Sequence, residues 1–202
     1  MRLGRAMACW GKIRTAVAFG LIGCLTSNKP AGAEPAYVGV VREYVETLVR
    51  PMAEAPVVVK AIQEQNAKLG DVSEMDMRVL DETYRAEVAQ GDLQMAKTLM
   101  AKSVSQYLRT KQDDSQGTIL EFFVTDSHGL NVGQSTVTTD YWQGDEDKFL
   151  KTFAVASRDI YIGGAERDES TQLLETQASF VVTDEKGEPI GTATVTIAID
   201  AL

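Results

Sequence analysis

Histidine and cysteine are nearly missing from this chain: one histidine and two cysteines in 202 residues. Both cysteines, Cys9 and Cys24, precede residue 34. A product beginning there has no disulfide and no cysteine metal site, and its folding rests on core burial alone. The lone histidine, His128, lies in Asp126-Ser-His-Gly129, which reads as the exposed tip of a turn. Serine and cysteine nucleophiles need an adjacent base, most often histidine, and zinc needs nitrogen or sulfur ligands. Phosphate-cradling glycine loops of the P-loop or Rossmann type are absent as well. Carboxylates are plentiful, but nothing marks an acid–base pair among them. The expectation is a protein that is no enzyme and carries no metal and no cofactor.

Long hydrophobic runs are also lacking. The apolar stretch Thr15–Leu25 is well short of the about 20 residues that a membrane-crossing helix needs. It follows Arg2, Arg5, Lys12 and Arg14 and precedes Ala31-Gly32-Ala33. A basic start, a brief apolar centre and small residues before a cut describe a secretory signal peptide over 1–33. Leu21-Ile22-Gly23-Cys24 resembles a lipobox, so the competing product is cut before Cys24 and lipidated on it. Either product is exported, here read as periplasmic, and meets a membrane only through that lipid.

Positive charge becomes scarce beyond the leader. Five of the 20 basic residues and none of the 29 acidic ones precede residue 34, leaving a net charge of −14 on 34–202. Nucleic acid is bound by lysine and arginine displacing counterions, and so acidic a surface repels phosphate backbones and anionic lipids. Neither is an expected partner.

What the chain does have is a helical half and a strand half. From about 37 to 112 apolar residues recur at helical spacing. Val40, Val41, Tyr44, Val45, Leu48 and Val49 form a stripe interrupted at Pro51, and Val57, Val58, Ala61 and Ile62 begin another that stops at Gly70. Ser73 and Asp76 open a third helix as an acidic capping box, which Gly91 ends. Asp92 caps a fourth helix carrying Leu93, Leu99, Val104 and Leu108. From about 118 to 200 the texture is strand. Ala193, Val195, Ile197 and Ile199 alternate with Thr192, Thr194, Thr196 and Ala198, as in an antiparallel sheet with one buried face.

Phe122–Gly133 aligns without gaps onto Phe180–Gly191, sharing Phe, Val, Thr, Asp, Gly and Gly. Each copy reads as strand, Asp-x-x-Gly turn, strand, with the aspartate bonding the turn backbone and glycine taking positive φ. Helices followed by two such hairpins imply a single α+β domain over 34–202.

Ala61–Asn66, Glu121–Asp126 with Gly129–Gly133, Asp140-Tyr-Trp-Gln-Gly-Asp-Glu146, Asp168-Glu-Ser-Thr171 and Asp184–Gly191 together resemble a Cache domain of the PDC-sensor type, the PAS-like extracytoplasmic fold of bacterial receptors. The resemblance implies a central antiparallel sheet of about five strands with N-terminal helices packed alongside. It also implies a small-molecule pocket between the sheet and the loops joining its halves. Such domains usually report through a second membrane helix to a kinase, cyclase or chemotaxis module. This chain ends after its last strand, so its signal is expected to pass through a separate membrane receptor or kinase. The Arg-x-x-Trp-Tyr motif of amino-acid-binding double Cache domains is not found, and no ligand class is implied.

Tyr141 and Trp142 would wall that pocket, or pack into the core at the end of the sheet. Asp140 and Asp145, with Glu146 and Asp147, would recognise a cationic or hydroxylated ligand, hold a hard cation, or cap the following helix. Tyr161 is a further aromatic candidate. Asp168 and Ser170 would approach from the opposite loop or organise a turn. Asn66 would bond a neighbouring backbone or be an ordinary helix-end residue, the second reading being favoured. The function expected is an exported small-molecule sensor without its own output module. The alternative is a Cache-like interaction module with no functional pocket, docking through the Val40–Val49 stripe.

Overall fold

The computed structural model describes residues 34–169 and 171–202. The leader, with its lipobox and both cleavage positions, and Ser170 lie outside the described residues.

Helix α1 (Ala36–Tyr44) passes through a π-helical stretch, Val45–Val49, into α2 (Arg50–Ala53). Pro51 therefore does not interrupt the stripe. The Arg50 N–H reaches back five residues to the Val45 carbonyl, and this wider turn absorbs a proline that has no N–H to place. Val38, Val41, Val45, Val49 and Ala53 are buried, but Val40 and Leu48 of the expected stripe are 50% and 48% exposed. Helix α3 (Pro56–Leu69) starts on a proline, whose missing N–H costs nothing there, and ends at Gly70. Ser73 caps α4 (Glu74–Gln90) by accepting the Asp76 N–H at 3.2 Å, and Gly91 closes it at φ 74°.

The expected fourth helix is two: α5 (Gln94–Met100) and α6 (Ser103–Asp114). Asp92 does not cap the first of them. Leu93 occupies that place at φ 57°, and the carboxylate of Glu87 takes the Met95 N–H at 2.6 Å. At the corner between them, the Ser105 hydroxyl bonds the Leu99 carbonyl at 2.7 Å. The apolar spacing is continuous across the corner, so periodicity alone does not reveal the break.

The sheet contains β1 (Ile119–Thr125), β2 (Asn131–Gln134), β3 (Tyr161–Ile162), β4 (Glu166–Arg167), β5 (Leu174–Thr183) and β6 (Pro189–Ala198). Between β2 and β3 lie a short α-helix, α7 (Asp147–Leu150), and a 3-10 turn, Phe153–Val155. The strand order is β2-β1-β6-β5-β3, with β4 also paired to β5, all antiparallel. This is the α+β architecture that the Cache resemblance implies: an antiparallel sheet with the N-terminal helices packed alongside. Both anticipated hairpins form, and their registers slip at matching points, Val124/Thr125 and Val182/Thr183.

One sheet face carries Phe122, Val124, Ala178, Phe180, Val182, Ala193, Val195 and Ile197 and packs with Val41, Val45, Val58, Ile62, Val104 and Leu108 of the helices. Each of the valine, leucine, isoleucine and phenylalanine side chains contributes about 2 kcal/mol on burial, the alanines less. The threonine face of β6 was expected to meet water, yet Thr192, Thr194 and Thr196 are all buried. Cross-strand hydroxyl pairs satisfy the first two: Thr125 with Thr192 at 2.7 Å and Ser179 with Thr194 at 3.0 Å. On the same face, Lys148 of α7 sits 5.3 Å from the Phe123 ring centroid. Among the described residues no helix is long and apolar enough to cross a membrane.

Candidate functional site

A recess of about 300 Å³ opens at the β3 edge of the sheet. Tyr161, Gly163, Gly164, Glu166, Glu175, Thr176 and Gln177 supply the edge, and Glu146, Asp147 and Lys148 come from the start of α7. Its floor is held by three elements at once. The Gly163 N–H bonds the Gln177 carbonyl at 2.8 Å. The Gly163 carbonyl accepts the Thr176 hydroxyl at 2.9 Å and the Tyr37 hydroxyl at 3.2 Å, and Tyr37 in turn accepts the Ala165 N–H. Such bracing lets a short glycine-containing segment keep a fixed concave shape.

The electrostatics are uneven. Glu146, Asp147, Glu166 and Glu175 line the recess against Lys148. Lys148 pairs with Glu146 at 3.0 Å, and Lys151 pairs with Asp147 at 2.7 Å while lying 4.7 Å from the Tyr161 ring centroid. The Tyr161 hydroxyl donates to Asp147 at 3.2 Å. Burial, reinforced by Asp168 and Glu166, pushes the Glu175 carboxyl above its usual range. Glu121 on β1 is raised by burial too, against the opposing pull of Lys148 and the Thr196 hydroxyl. Unbalanced carboxylates around a braced hollow suit a polar ligand carrying a cationic or hydroxyl group. Among the described residues no three His, Cys, Asp or Glu side chains group so as to hold a metal ion.

Of the residues singled out from sequence, Tyr161, Glu146 and Asp147 line this recess. Tyr141 and Trp142 do not face Asp168 across a hollow. With Met77 and Leu130 they form a satellite cluster against α4. The indole N–H donates to the His128 carbonyl at 2.8 Å, and both backbone N–H groups donate to the buried Asp81 carboxylate, at 2.8 and 3.0 Å. The Tyr141 ring lies 5.7 Å from that of Tyr84, and burial pushes its hydroxyl up to about 12. Trp142 is thus sealed into packing, whereas Tyr141 is half-buried and borders a separate shallow recess with Met95, Leu99 and Lys102. Asp140 pairs with Arg85 at 3.3 Å, its carbonyl taking the Asn131 and Gln143 side-chain amides. Asp145 is exposed and outside the recess. Asp168 organises a turn, its carboxylate accepting the Thr171 N–H at 2.7 Å.

Sequence reasoning gave Asp81 and Glu121 no reading of their own and undervalued Asn66. Asp81 anchors the Tyr–Trp segment, and its position between Met77 and Tyr84 on the buried stripe of α4 was a legible signal: a charge where an apolar residue belongs. Glu121 is similarly conspicuous between Leu120 and Phe122. Asn66 is no ordinary helix end. Its amide N–H₂ donates to the Ile190 carbonyl at 2.8 Å, and its oxygen accepts both the N–H and the hydroxyl of Ser127 at 2.9 Å. One side chain ties the two hairpins together.

No family model matches the chain, and no curated protein matches it. Several solved structures are similar. The sensor domain of DcuS from E. coli is 12% identical, with 81% of this chain and 92% of that one covered at a TM-score of 0.48. The ligand-binding domain of the Campylobacter jejuni chemoreceptor Tlp3, in complex with 4-methylisoleucine, is 13% identical, with 77% of this chain and 62% of that one covered at 0.37. The ligand-binding domain of the Pseudomonas aeruginosa PAO1 amino acid chemoreceptor PctC, in complex with GABA, is 12% identical, with 81% and 60% covered at 0.39. The chain thus spans less than two thirds of either chemoreceptor domain.

Proposed function

We propose that residues 34–202 form a periplasmic sensor domain that binds a small polar molecule beside Tyr161 and catalyses no reaction. Its leader is removed on export, by cleavage after Ala33 or before Cys24, and its bound state is read by a separate membrane receptor or kinase. The observation that carries this reading is the recess itself, whose floor is braced by Tyr37, Thr176 and Gln177 and whose lining mixes carboxylates, an ammonium and a phenol. A preformed, polar, concave site loses little entropy on binding.

The test is a thermal-shift screen of the purified exported protein against small metabolites, amines and hydroxylated compounds foremost. Binding to the native state at a hundred times Kd raises stability by about 2.7 kcal/mol. A hit should lose its shift in Tyr161→Ala and Glu175→Gln and keep it in Tyr141→Phe. A broad screen without hits, or hits indifferent to Tyr161 and Glu175, would remove the reading. Mass spectrometry of the exported product separates the two cleavage sites.

A second reading, an interaction module, draws on the half-exposed Val40 and Leu48 of the N-terminal helices. It predicts a complex that cross-linking recovers and that Leu48→Glu disrupts.

A further inference from the structure

At the opposite edge of the sheet, where α3 and the start of α6 meet β2, lies a second and larger recess of about 520 Å³. Its polar lining inverts the charge of the protein: Lys60, Lys68 and Lys102 with Gln65 and Ser103, against Glu64 alone. Glu64 is already committed to Lys60 at 3.7 Å.

Lys102 is the unusual member. Its ammonium donates to two neutral acceptors, the Gln65 side-chain oxygen at 3.2 Å and the Val132 carbonyl at 3.1 Å. Among the described residues no carboxylate lies within ion-pair distance of it or of Lys68, although acidic residues outnumber basic ones in the chain. An ammonium has three protons to give, and two of them have protein acceptors. Gln65 holds Lys102 in this pose because its own N–H₂ is fixed by Asp126 at 2.9 Å. Burial, together with repulsion from Lys68, holds Lys102 below the ordinary lysine range, and Asp126 offsets only part of this. Two neighbouring ammonium groups without a counter-ion, one of them partly desolvated, are stabilised by an anion placed between them.

We infer that this recess is a binding site for a small oxyanion, a carboxylate or a phosphate, held by the Lys102 and Lys68 ammonium groups and the Ser103 hydroxyl. The site is independent of the Tyr161 recess and stands or falls apart from it.

The experiment follows the lysine side-chain NMR signals of the purified exported protein. Inorganic phosphate and succinate serve as separate probes, with sodium chloride of matched ionic strength as reference. A saturable shift of the Lys102 and Lys68 signals is expected with at least one probe, and Lys102 should titrate closer to an ordinary lysine when the probe is bound. A phosphate-only response assigns a phosphate-bearing ligand, and a succinate-only response a carboxylate. Lys102→Met should weaken binding at least tenfold. Lys68→Met, at an exposed position where folding is not at stake, should weaken it several-fold, and Lys97→Met should leave it unchanged. No saturable shift with either probe, or equal affinity in Lys68→Met and the parent, overturns the assignment. The Tyr161→Ala variant should bind both probes as the parent does.

Discussion

The two Asp-x-x-Gly hairpins share a local code and differ in nearly everything around it. In both, the aspartate N–H pairs across the turn, with Leu130 in one and Glu188 in the other, and a glycine at φ 84° or 81° closes the loop. In both, one carboxylate oxygen accepts two backbone N–H groups at 2.9–3.0 Å. Yet Asp126 is fully buried, with its second oxygen bonded to Gln65, whereas the Asp184 turn protrudes, with Glu185 through Glu188 exposed. Identical turn chemistry is a surface detail in the second hairpin and a structural keystone in the first. The weight of a hydrogen bond follows from what replaces it when it is lost: water at Asp184, nothing at Asp126.

Asp126→Ala is expected to show the largest effect, about 3 kcal/mol in urea unfolding, because one buried and two partly buried donors lose their acceptor. Asp184→Ala should cost about 1 kcal/mol or less, and equal losses would break the comparison. Next come the glycines. Gly129→Ala places a methyl 2.6 Å from the Gly144 backbone, while the same change at Gly187 meets open space. Both pay about 1 kcal/mol for positive φ, and Gly129 should cost about 2 kcal/mol more.

Asn66→Ala removes the tie between the hairpins and should cost about 2 kcal/mol. Hydrogen exchange should then quicken at the Ser127 N–H, whose acceptor is gone, while turn 184–188 keeps its protection. The smallest effect sharpens the comparison from another side, since Glu121 is a half-buried carboxylate without the backbone donors of Asp126. Its folded-state pKa is raised, so the stability it lends is present in acid and lost as pH rises through that value. Glu121→Gln should therefore gain up to about 1 kcal/mol at neutral pH, and the gain should vanish on acidification. A gain that grows in acid would reverse the sign and refute the argument.

Much of the frame was legible before any coordinates. Ser73, Gly70 and Gly91 end helices where their chemistry says they should, and the repeated turn motif produced two real hairpins. The candidate site was legible only in part. Tyr161 and the acidic run at 146–147 line it, but Tyr141 and Trp142 are held elsewhere, their backbone N–H groups by Asp81 and the indole N–H by the His128 carbonyl. A tyrosine–tryptophan pair has the same composition whether it walls a pocket or plugs one. The split at Ala101–Lys102 was hidden for a related reason: two successive helices can share one apolar period.

By itself, then, the order of residues settled the helical and strand halves, the helix ends at Ser73, Gly70 and Gly91, the paired turns and the strand alternation, because each depends on groups a few positions apart. Tertiary structure decided which strand faces are covered, which aspartate of two alike is indispensable, and where hollows remain. Those depend on partners such as Asn66 and Ile190, 124 residues apart, which no local pattern can pair.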